Sequence, residues 1–290
     1  MVRLGRDMTT ASDNPGYVLL QGAIGEAVDC LSGNRLADKR VHAARKAVKK
    51  ARTGLRLLRS AMTDAQFVQQ NMALRDAART LSPLRDGKSL LDAFDAFASR
   101  HAAELRGVRL APLRRWLRAS RAVARTELID GPTTLRVCVD SLADCRERAG
   151  QSDLAHAGLD VTLAGLRCIY RRGRRAFAHA RDAQTTEALH EWRKQVKQLF
   201  YAMDALRHAG LEPSPALVEM ADRISDWLGD DHDLAMLHDA VRIAVNPDSS
   251  AIVHALIAKR RARLQKRALA RGRRVFASKP GRFAAQWTKR

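Results

Sequence analysis

The chain has 290 residues, and its 52 Lys and Arg residues outnumber its 31 Asp and Glu residues by 21. A pI near 11.0 favours a polyanionic partner, which leaves nucleic acid, an anionic membrane surface and polyphosphate open. Hydrophobic residues make up 46% of the chain, which excludes a disordered basic tail. There is no signal peptide, no apolar run long enough to span a membrane and no paired cysteine motif, so a cytoplasmic protein without membrane contact is predicted.

The N-terminal residues 1–16 are rich in Gly, Thr, Ser and Asn and are predicted to form a flexible leader. Beyond them Ala, Leu and Arg predominate, and the alternation typical of strands is nearly absent. Gly- and Pro-containing breakers divide this part into segments of roughly 15 to 30 residues, a normal length for helices in bundles. An all-α protein is therefore predicted.

The first notable helix carries the pattern His-x-x-Arg-Lys-x-Val-Lys, which begins at His42. Steps of three and four residues from His42 define one continuous basic stripe, and the same steps from Val41 define an apolar seam. Like charges at this spacing destabilise an isolated helix by about 0.2–0.5 kcal/mol per pair, so a stripe without acidic partners favours an external anion. The stripe consists of His42, Arg45, Lys49, Arg52, Arg56 and Arg59, with Lys46 and Lys50 beside it.

The same pattern recurs at His190, 148 residues after His42, which is about half the chain. Its cations are Arg193, Lys194 and Lys197, and Tyr201 continues the face where the first copy has charge. One His and three cations at a repeated spacing predict two equivalent helices that face one polyanion.

Each motif copy is followed by a long helical segment and then by an Asp-rich segment, 84–91 or 229–237, which is predicted to be a turn that enters another helix. Two halves follow, about 17–130 and 155–275, and each has about four helices, enough for a four-helix bundle. Residues 276–290 form a basic tail, which is predicted to stand alone or to continue the last helix.

The second Asp-rich segment is the one candidate metal site in the sequence. Clustered carboxylates in a turn suit Mg²⁺ or Ca²⁺, but Asp at a helix start also caps backbone amides and complements the helix dipole. The capping interpretation is favoured, and no metal or cofactor is predicted. The residues concerned are Asp230, Asp231, His232, Asp233 and His238.

Several of these motifs, in this order, resemble the CHAD domain, the conserved histidine α-helical domain. They are the two motif helices, Leu-Ser-Pro-Leu-Arg-Asp at 81–86, the stretch 166–175, and Asp-Leu at 233–234. The resemblance covers residues 17–275 and implies two four-helix bundles related by pseudo-twofold symmetry around a basic cavity. It further implies that the cavity binds inorganic polyphosphate, that the protein associates with polyphosphate granules, and that the acids of the turns brace the basic helices.

The family's binding positions map onto both motif helices, and Arg171 and Arg174 are added from the helix before the second copy. Together with the flanking cations of the stripe, they form the predicted polyphosphate site. Its residues are His42, Arg45, Lys46, Lys49, Arg52, Arg56, Arg171, Arg174, His190, Arg193, Lys194 and Lys197.

Two other functions stay open at this point. A helical protein that contacts only the phosphate backbone of nucleic acid would use the basic stretch after Ser249, although aromatic residues for base stacking total only 5%. A phosphohydrolase is the weaker alternative, because no P-loop, His-Glu-x-x-His or Gly-x-Ser-x-Gly motif accompanies the histidines. Binding without catalysis is predicted.

Overall fold

The computed structural model describes residues 14–32, 37–129, 132–211, 214–245 and 247–288. These residues form α-helices joined by short turns and contain no strand, which confirms the predicted all-α class. Among the described helices, none has an apolar stretch sufficient to cross a membrane. The helices are α1 (Pro15–Leu31), α2 (Asp38–Leu57), α3 (Asp64–Thr80), α4 (Ser82–Arg100), α5 (Ala111–Ile129), α6 (Pro132–Gly150), α7 (Leu159–Ala183), α8 (Thr186–His208), α9 (Pro215–Ala244), α10 (Pro247–Val275) and α11 (Pro280–Ala285).

The start of α1 falls inside the predicted leader. Asn14 caps the helix, because its side-chain oxygen accepts hydrogen bonds from the backbone N–H groups of Gly16 and Tyr17. Its Nδ2 atom donates to the carbonyl oxygens of Ala157 and Gly158 just before α7, at 3.0 and 3.1 Å. The rest of the leader, residues 1–13, lies outside the described residues.

The two motif helices, α2 and α8, bury the apolar seams that the sequence predicts. The seam of α2 is at most 1% exposed at every position: Val41, Ala44, Val48, Ala51, Leu55 and Leu58. The seam of α8 is at most 2% exposed: Leu189, Trp192, Val196, Leu199 and Met203. Burial on this scale fixes the rotation of each helix and therefore the direction in which its basic side chains lie.

The buried side chains form three hydrophobic clusters. The first is built mainly from α1, α2, α3 and α6, and the second from α7, α8, the first part of α9, the end of α10, and α11. The third joins α4 and α5 to the second part of α9 and to α10. The long helix α9 therefore carries side chains into two clusters, and α4 and α5 pack against helices from the other half of the chain. Pseudo-twofold symmetry between two four-helix bundles stays a prediction.

The helices α2 and α7 connect the two halves at a close contact. A Cβ atom at Gly165 of α7 would lie 2.4 Å from the backbone oxygen of Leu57, which ends α2. The side chain of Leu57 belongs to the second cluster, whereas the rest of the α2 seam belongs to the first. Only a glycine permits this approach, and it brings the first motif helix against the second half.

The predicted turns in the Asp-rich segments are wrong. Residues 84–91 lie inside α4, and residues 229–237 lie inside α9. Glycine usually weakens a helix, but here it permits close packing: a Cβ at Gly87 would be 3.3 Å from the Cα atom of Arg121, and one at Gly229 would be 3.3 Å from Nη2 of Arg193. The aspartates in the middle of α9 therefore do not cap a helix.

The C-terminal tail does not continue α10, which ends at Val275. Instead, α11 packs on α7, where the ring of Phe283 stacks on that of Tyr170 with a centroid distance of 3.8 Å. The Tyr170 hydroxyl donates to the carbonyl oxygens of Val275 and Ser278, 3.1 Å from each. Trp287 is fully buried in the second cluster, so the described part of the tail belongs to the core of the second half.

Candidate functional site

The motif helices α2 and α8 pack against each other, which brings the two copies of the basic pattern together. The apolar seams face inward, and the cations beside them differ in exposure. His42, Lys46 and Lys194 are exposed. The side chains of Arg45, Lys49, Arg52, Arg56, His190, Arg193 and Lys197 are intermediate in exposure, so their aliphatic stems are partly covered.

The first copy is held by an acid from α4. Nη1 of Arg45 lies 3.1 Å from Oδ1 of Asp86, and the two side chains are 20% and 61% exposed. Asp86 in turn lies near His232 of α9, where its negative charge favours the protonated imidazole and acts to raise the pKa of His232. Arg45 is thereby connected, through one carboxylate, to a residue of the second half.

His232 completes the connection to the second motif copy. Its ring and that of His190 have centroids 4.1 Å apart and planes inclined by 33°. In each ring the Nδ1 atom is buried and has no hydrogen-bond partner among the described residues. Arg45, Asp86, His232 and His190 thus form one cluster, which we call the central cluster, with members from α2, α4, α9 and α8.

Burial and neighbouring cations keep both histidines of the central cluster neutral. Burial, then the proximity of His232, Lys194 and Arg193, lowers the pKa of His190 from 6.5 to about 4. Burial and then Arg193 also lower the pKa of His232, against the opposing effect of Asp86. The unliganded cluster therefore carries its positive charge on Arg and Lys rather than on imidazole.

Arg193 lies over the surface of α9. The absent side chain of Gly229 leaves room for its guanidinium, since a Cβ there would be 3.3 Å from Nη2 and 3.4 Å from Nε. Nε of Arg193 is buried without a hydrogen-bond partner in the described part of the chain. A buried donor of this kind is available to an anion that enters the site.

Lys197, the last cation of the second copy, is partly neutralised within the protein. Its Nζ atom lies 3.1 Å from Oδ1 of Asp222 and 3.9 Å from Oδ1 of Asp226, both on α9. It also lies 4.9 Å from the ring centroid of Phe200 and 5.5 Å from that of Tyr201. Tyr201 is only 4% exposed, so the expectation that it continues the functional face is wrong.

The basic stripe of the first copy continues into Arg52 and Arg56, whereas the second copy has no cation at the equivalent positions. Nη2 of Arg52 donates to Oδ1 of Asn71 at 3.4 Å, and Nη1 of Arg56 donates to the carbonyl of Arg52 at 2.9 Å. Burial, then Arg52 and Arg172, lowers the pKa of Arg56 to about 10. Burial, followed by Arg75 and Arg79 of α3, lowers the pKa of Arg52. The C-terminal end of α2 is therefore a region in which several cations lie close together.

Arg171 and Arg174, the two arginines added from α7, form no hydrogen bond or ion pair with the motif helices among the described residues. Nη2 of Arg171 lies 3.6 Å from Sγ of Cys168 on its own helix, and Arg174 lies near Tyr170. Both are exposed on α7. Their neighbour Arg172 is the α7 cation that influences Arg56, and it was not among the predicted site residues.

Asp231 of α9 holds side chains of α10 inside the protein. It is 2% exposed, and its Oδ1 accepts from Nε of Arg261 at 3.0 Å and from Nε2 of Gln265 at 2.8 Å. Nη2 of Arg261 donates to Oγ1 of Thr186 at the start of α8, at 3.0 Å. The described residues contain no group of three or more His, Cys, Asp or Glu side chains arranged to hold a metal.

Besides Arg172, three contributors to the site are not predicted by the sequence pattern. Asp222 and Asp226 were missed because nothing in the sequence pairs α9 with a particular lysine of α8, and His232 was placed in a turn. A signal for His232 was present: it lies one residue from the buried Asp231, in a segment offset from Asp86 by nearly the motif spacing. The stripe of α2 was also predicted to lack acidic partners, whereas Asp86 pairs with Arg45 and Glu26 pairs with Lys50 at 3.1 Å.

The structure defines an all-α protein in which two copies of a basic motif helix pack together. The chain belongs to the CHAD domain family, which matches residues 20–242. Its fold is similar to that of PptA from Streptomyces chartreusis, with a TM-score of 0.64 and 16% identity over 94% of this chain and 98% of that one.

It is also similar to the CHAD domain from the plant Ricinus communis, with a TM-score of 0.51 and 16% identity over 92% of this chain and 93% of that one. No curated protein sequence matches this chain. The two structural similarities support the fold, and the family match establishes the CHAD assignment.

Proposed function

We propose that this protein binds inorganic polyphosphate along the basic edge formed by α2 and α8, without catalysis. The observation that carries the proposal is the central cluster, because Arg45 of one motif copy and His190 of the other are connected through Asp86 and His232. A single linear polyanion that lies along this edge contacts both copies. The family to which the chain belongs is consistent with a polyphosphate-related function.

The chemistry of the edge favours a chain of phosphates over a nucleic acid. Arginine presents a planar fork suited to two phosphate oxygens, and partial burial strengthens each contact. The large aromatic side chains of the second motif copy, Trp192 and Tyr201, are buried and offer no surface for a nucleobase. Contacts to phosphate alone suffice for polyphosphate, which has no bases to read.

Binding of long-chain polyphosphate, measured at several salt concentrations with duplex DNA as competitor, tests the proposal. Each charge-assisted hydrogen bond contributes about 1.5–3 kcal/mol, so Arg45→Ala/Arg193→Ala is expected to weaken binding by about 100-fold or more. By analogy with nucleic acids, the double variant should also reduce the slope of log K against log salt by about 1.5.

A matched control is Arg118→Ala/Arg136→Ala, which removes the same charge from exposed positions on α5 and α6. It should weaken binding only slightly, and circular dichroism and melting confirm that all variants are folded. Equal displacement by DNA of matched charge, with both double variants alike, would show a general polyanion binder and contradict the proposal. Association with polyphosphate granules is tested by co-localising the tagged wild type and Arg45→Ala/Arg193→Ala in cells.

The absence of catalysis is a separate part of the proposal. We expect purified protein to release no orthophosphate from polyphosphate, with or without Mg²⁺. Release that is lost in His42→Ala or His190→Ala would establish a phosphohydrolase instead.

A further inference from the structure

The histidine pair of the central cluster is an unusual feature of the site. The rings of His190 and His232 lie 4.1 Å apart, and each buries an Nδ1 atom that no described residue contacts by a hydrogen bond. Buried polar atoms are normally satisfied, so two unsatisfied atoms in adjacent rings call for an explanation. They lie on the same edge as Arg45 and Arg193, where the polyanion is proposed to bind.

Charged side chains of α8, α4 and α9 act on the pair. On α8 these are the cations Arg193 and Lys194 and the acid Glu191. The acids that face His232 are already engaged: Asp86 of α4 with Arg45 of α2, and Asp231 of α9 with Arg261 of α10. Lys194 pairs with Glu191 at 3.3 Å, and burial together with the remaining positive charge of Arg193 and Lys194 disfavours a proton on either ring.

A bound polyanion reverses this balance. Phosphate oxygens near Arg193 and Lys194 neutralise the cations that disfavour protonation, and their own charge stabilises an imidazolium. Because two protonated rings 4.1 Å apart repel each other, only one of the pair gains a proton near neutral pH.

We propose, on the basis of the polyphosphate-binding function above, that His190 and His232 together form a phosphate contact that takes up one proton when the polyanion binds. The proton comes from solvent and goes to a ring nitrogen of one imidazole. The resulting N–H group donates to a non-bridging phosphate oxygen, and no covalent bond forms or breaks. His232, which is not part of the repeated motif, is thereby a ligand residue of the site.

The measurable consequence is a coupling between affinity and pH. The pKa of His190 is about 4 in the free protein. If the bound anion restores the ordinary value near 6.5, affinity rises about tenfold between pH 7.5 and pH 5.5 through this pair. Polyphosphate is fully charged along its chain in this range, so the change arises on the protein.

Calorimetry of polyphosphate binding at pH 6.5, in buffers that differ in ionisation enthalpy, counts the protons directly and needs no variant. Wild type is expected to take up a substantial fraction of one proton per site. His190→Asn/His232→Asn should still bind, with that uptake lost and the pH dependence flattened. His208→Asn, at an exposed position at the end of α8, should behave as wild type.

The outcomes separate the two proposals. Tight binding without proton uptake overturns the histidine contact and leaves the polyphosphate function intact, and so does uptake that persists in the double variant. Absence of polyphosphate binding overturns both. If the double variant does not fold, His190→Gln and His232→Gln are measured singly, and each should reduce the uptake.

Discussion

The two motif helices share a sequence pattern but stand in different electrostatic surroundings. On α2 the first copy continues past Lys49 into Arg52 and Arg56, whose guanidinium groups crowd against other arginines. On α8 the second copy ends at Lys197, which pairs with Asp222 and Asp226. The next residue on that face, Tyr201, is buried.

The acids that support the two copies differ as well. Asp86 of α4 is 61% exposed and holds Arg45 from the solvent side. Asp231 of α9, from the corresponding segment, is 2% exposed and anchors Arg261 and Gln265 inside the protein. A repeated motif thus fixes where a helix packs, whereas its neighbours decide how much free charge it offers.

The largest expected difference concerns these two acids. Asp231→Asn removes the charge that pairs with the partly buried Arg261, and breaking a buried ion pair costs about 3 kcal/mol of unfolding free energy. Asp86→Asn breaks a pair whose acid is 61% exposed to solvent, and it should cost less than about 1 kcal/mol. Urea denaturation followed by circular dichroism measures both. Equal losses would mean that the two segments play the same structural role.

The contact that joins the two halves gives the next effect. Gly165→Ala places a methyl group 2.4 Å from the Leu57 backbone oxygen, and overpacking of this kind costs about 1–3 kcal/mol. Gly22→Ala on α1 is the matched control, since a Cβ there meets nothing within 4 Å. It should stabilise the protein by up to about 1 kcal/mol through helix propensity. A neutral Gly165→Ala would show that α2 and α7 are free to move apart.

The two copies should also differ in their contribution to polyphosphate binding. Arg45→Ala is expected to weaken binding by about 30-fold, because it removes from the central cluster a guanidinium whose side chain is only 20% exposed. Lys197→Ala should weaken it only about threefold, since two carboxylates already offset that charge. Titration of each variant with the same polyphosphate measures the loss of affinity. Equal losses would mean that the two motif helices contribute equally to binding.

The sequence predicts the helices and their buried faces well for a physical reason. Apolar side chains at steps of three and four residues must face the core, and every seam position of α2 and α8 is buried as this periodicity requires. The same periodicity places the cations of each motif beside its buried seam, where their side chains are exposed or half-buried. Local spacing therefore determines the rotation of each motif helix.

What the sequence does not reveal depends on contacts between distant segments. Gly87 and Gly229 have low helix propensity and suggest turns, but both lie inside helices, where the missing side chain leaves room for Arg121 and Arg193. The acids that meet Lys197 come from α9, and no spacing rule connects them to α8. His232 joins the site for the same reason: its ring meets that of His190 only when α8 and α9 pack together.

The smallest expected effect separates the histidines of the two copies. His42 is exposed, whereas burial and nearby cations lower the pKa of His190 from 6.5 to about 4. A histidine with a lowered folded-state pKa stabilises the fold above its unfolded value, and this contribution is lost as pH falls from about 6.5 towards 4. The full shift corresponds to about 3.4 kcal/mol, but solvent screening of the partly exposed ring reduces it to about 1 kcal/mol.

Urea denaturation of the free protein at pH 7.5 and at pH 4.5 measures this loss. The Asn side chain of His190→Asn takes up no proton, so the unfolding free energy of this variant should change between the two pH values by about 1 kcal/mol less than that of wild type. Loss of the ring packing adds a cost that is the same at both pH values and does not affect this comparison. If His190→Asn instead keeps the full pH dependence of wild type, desolvation of His190 does not distinguish the second copy, and the contrast between α2 and α8 reduces to their acidic partners.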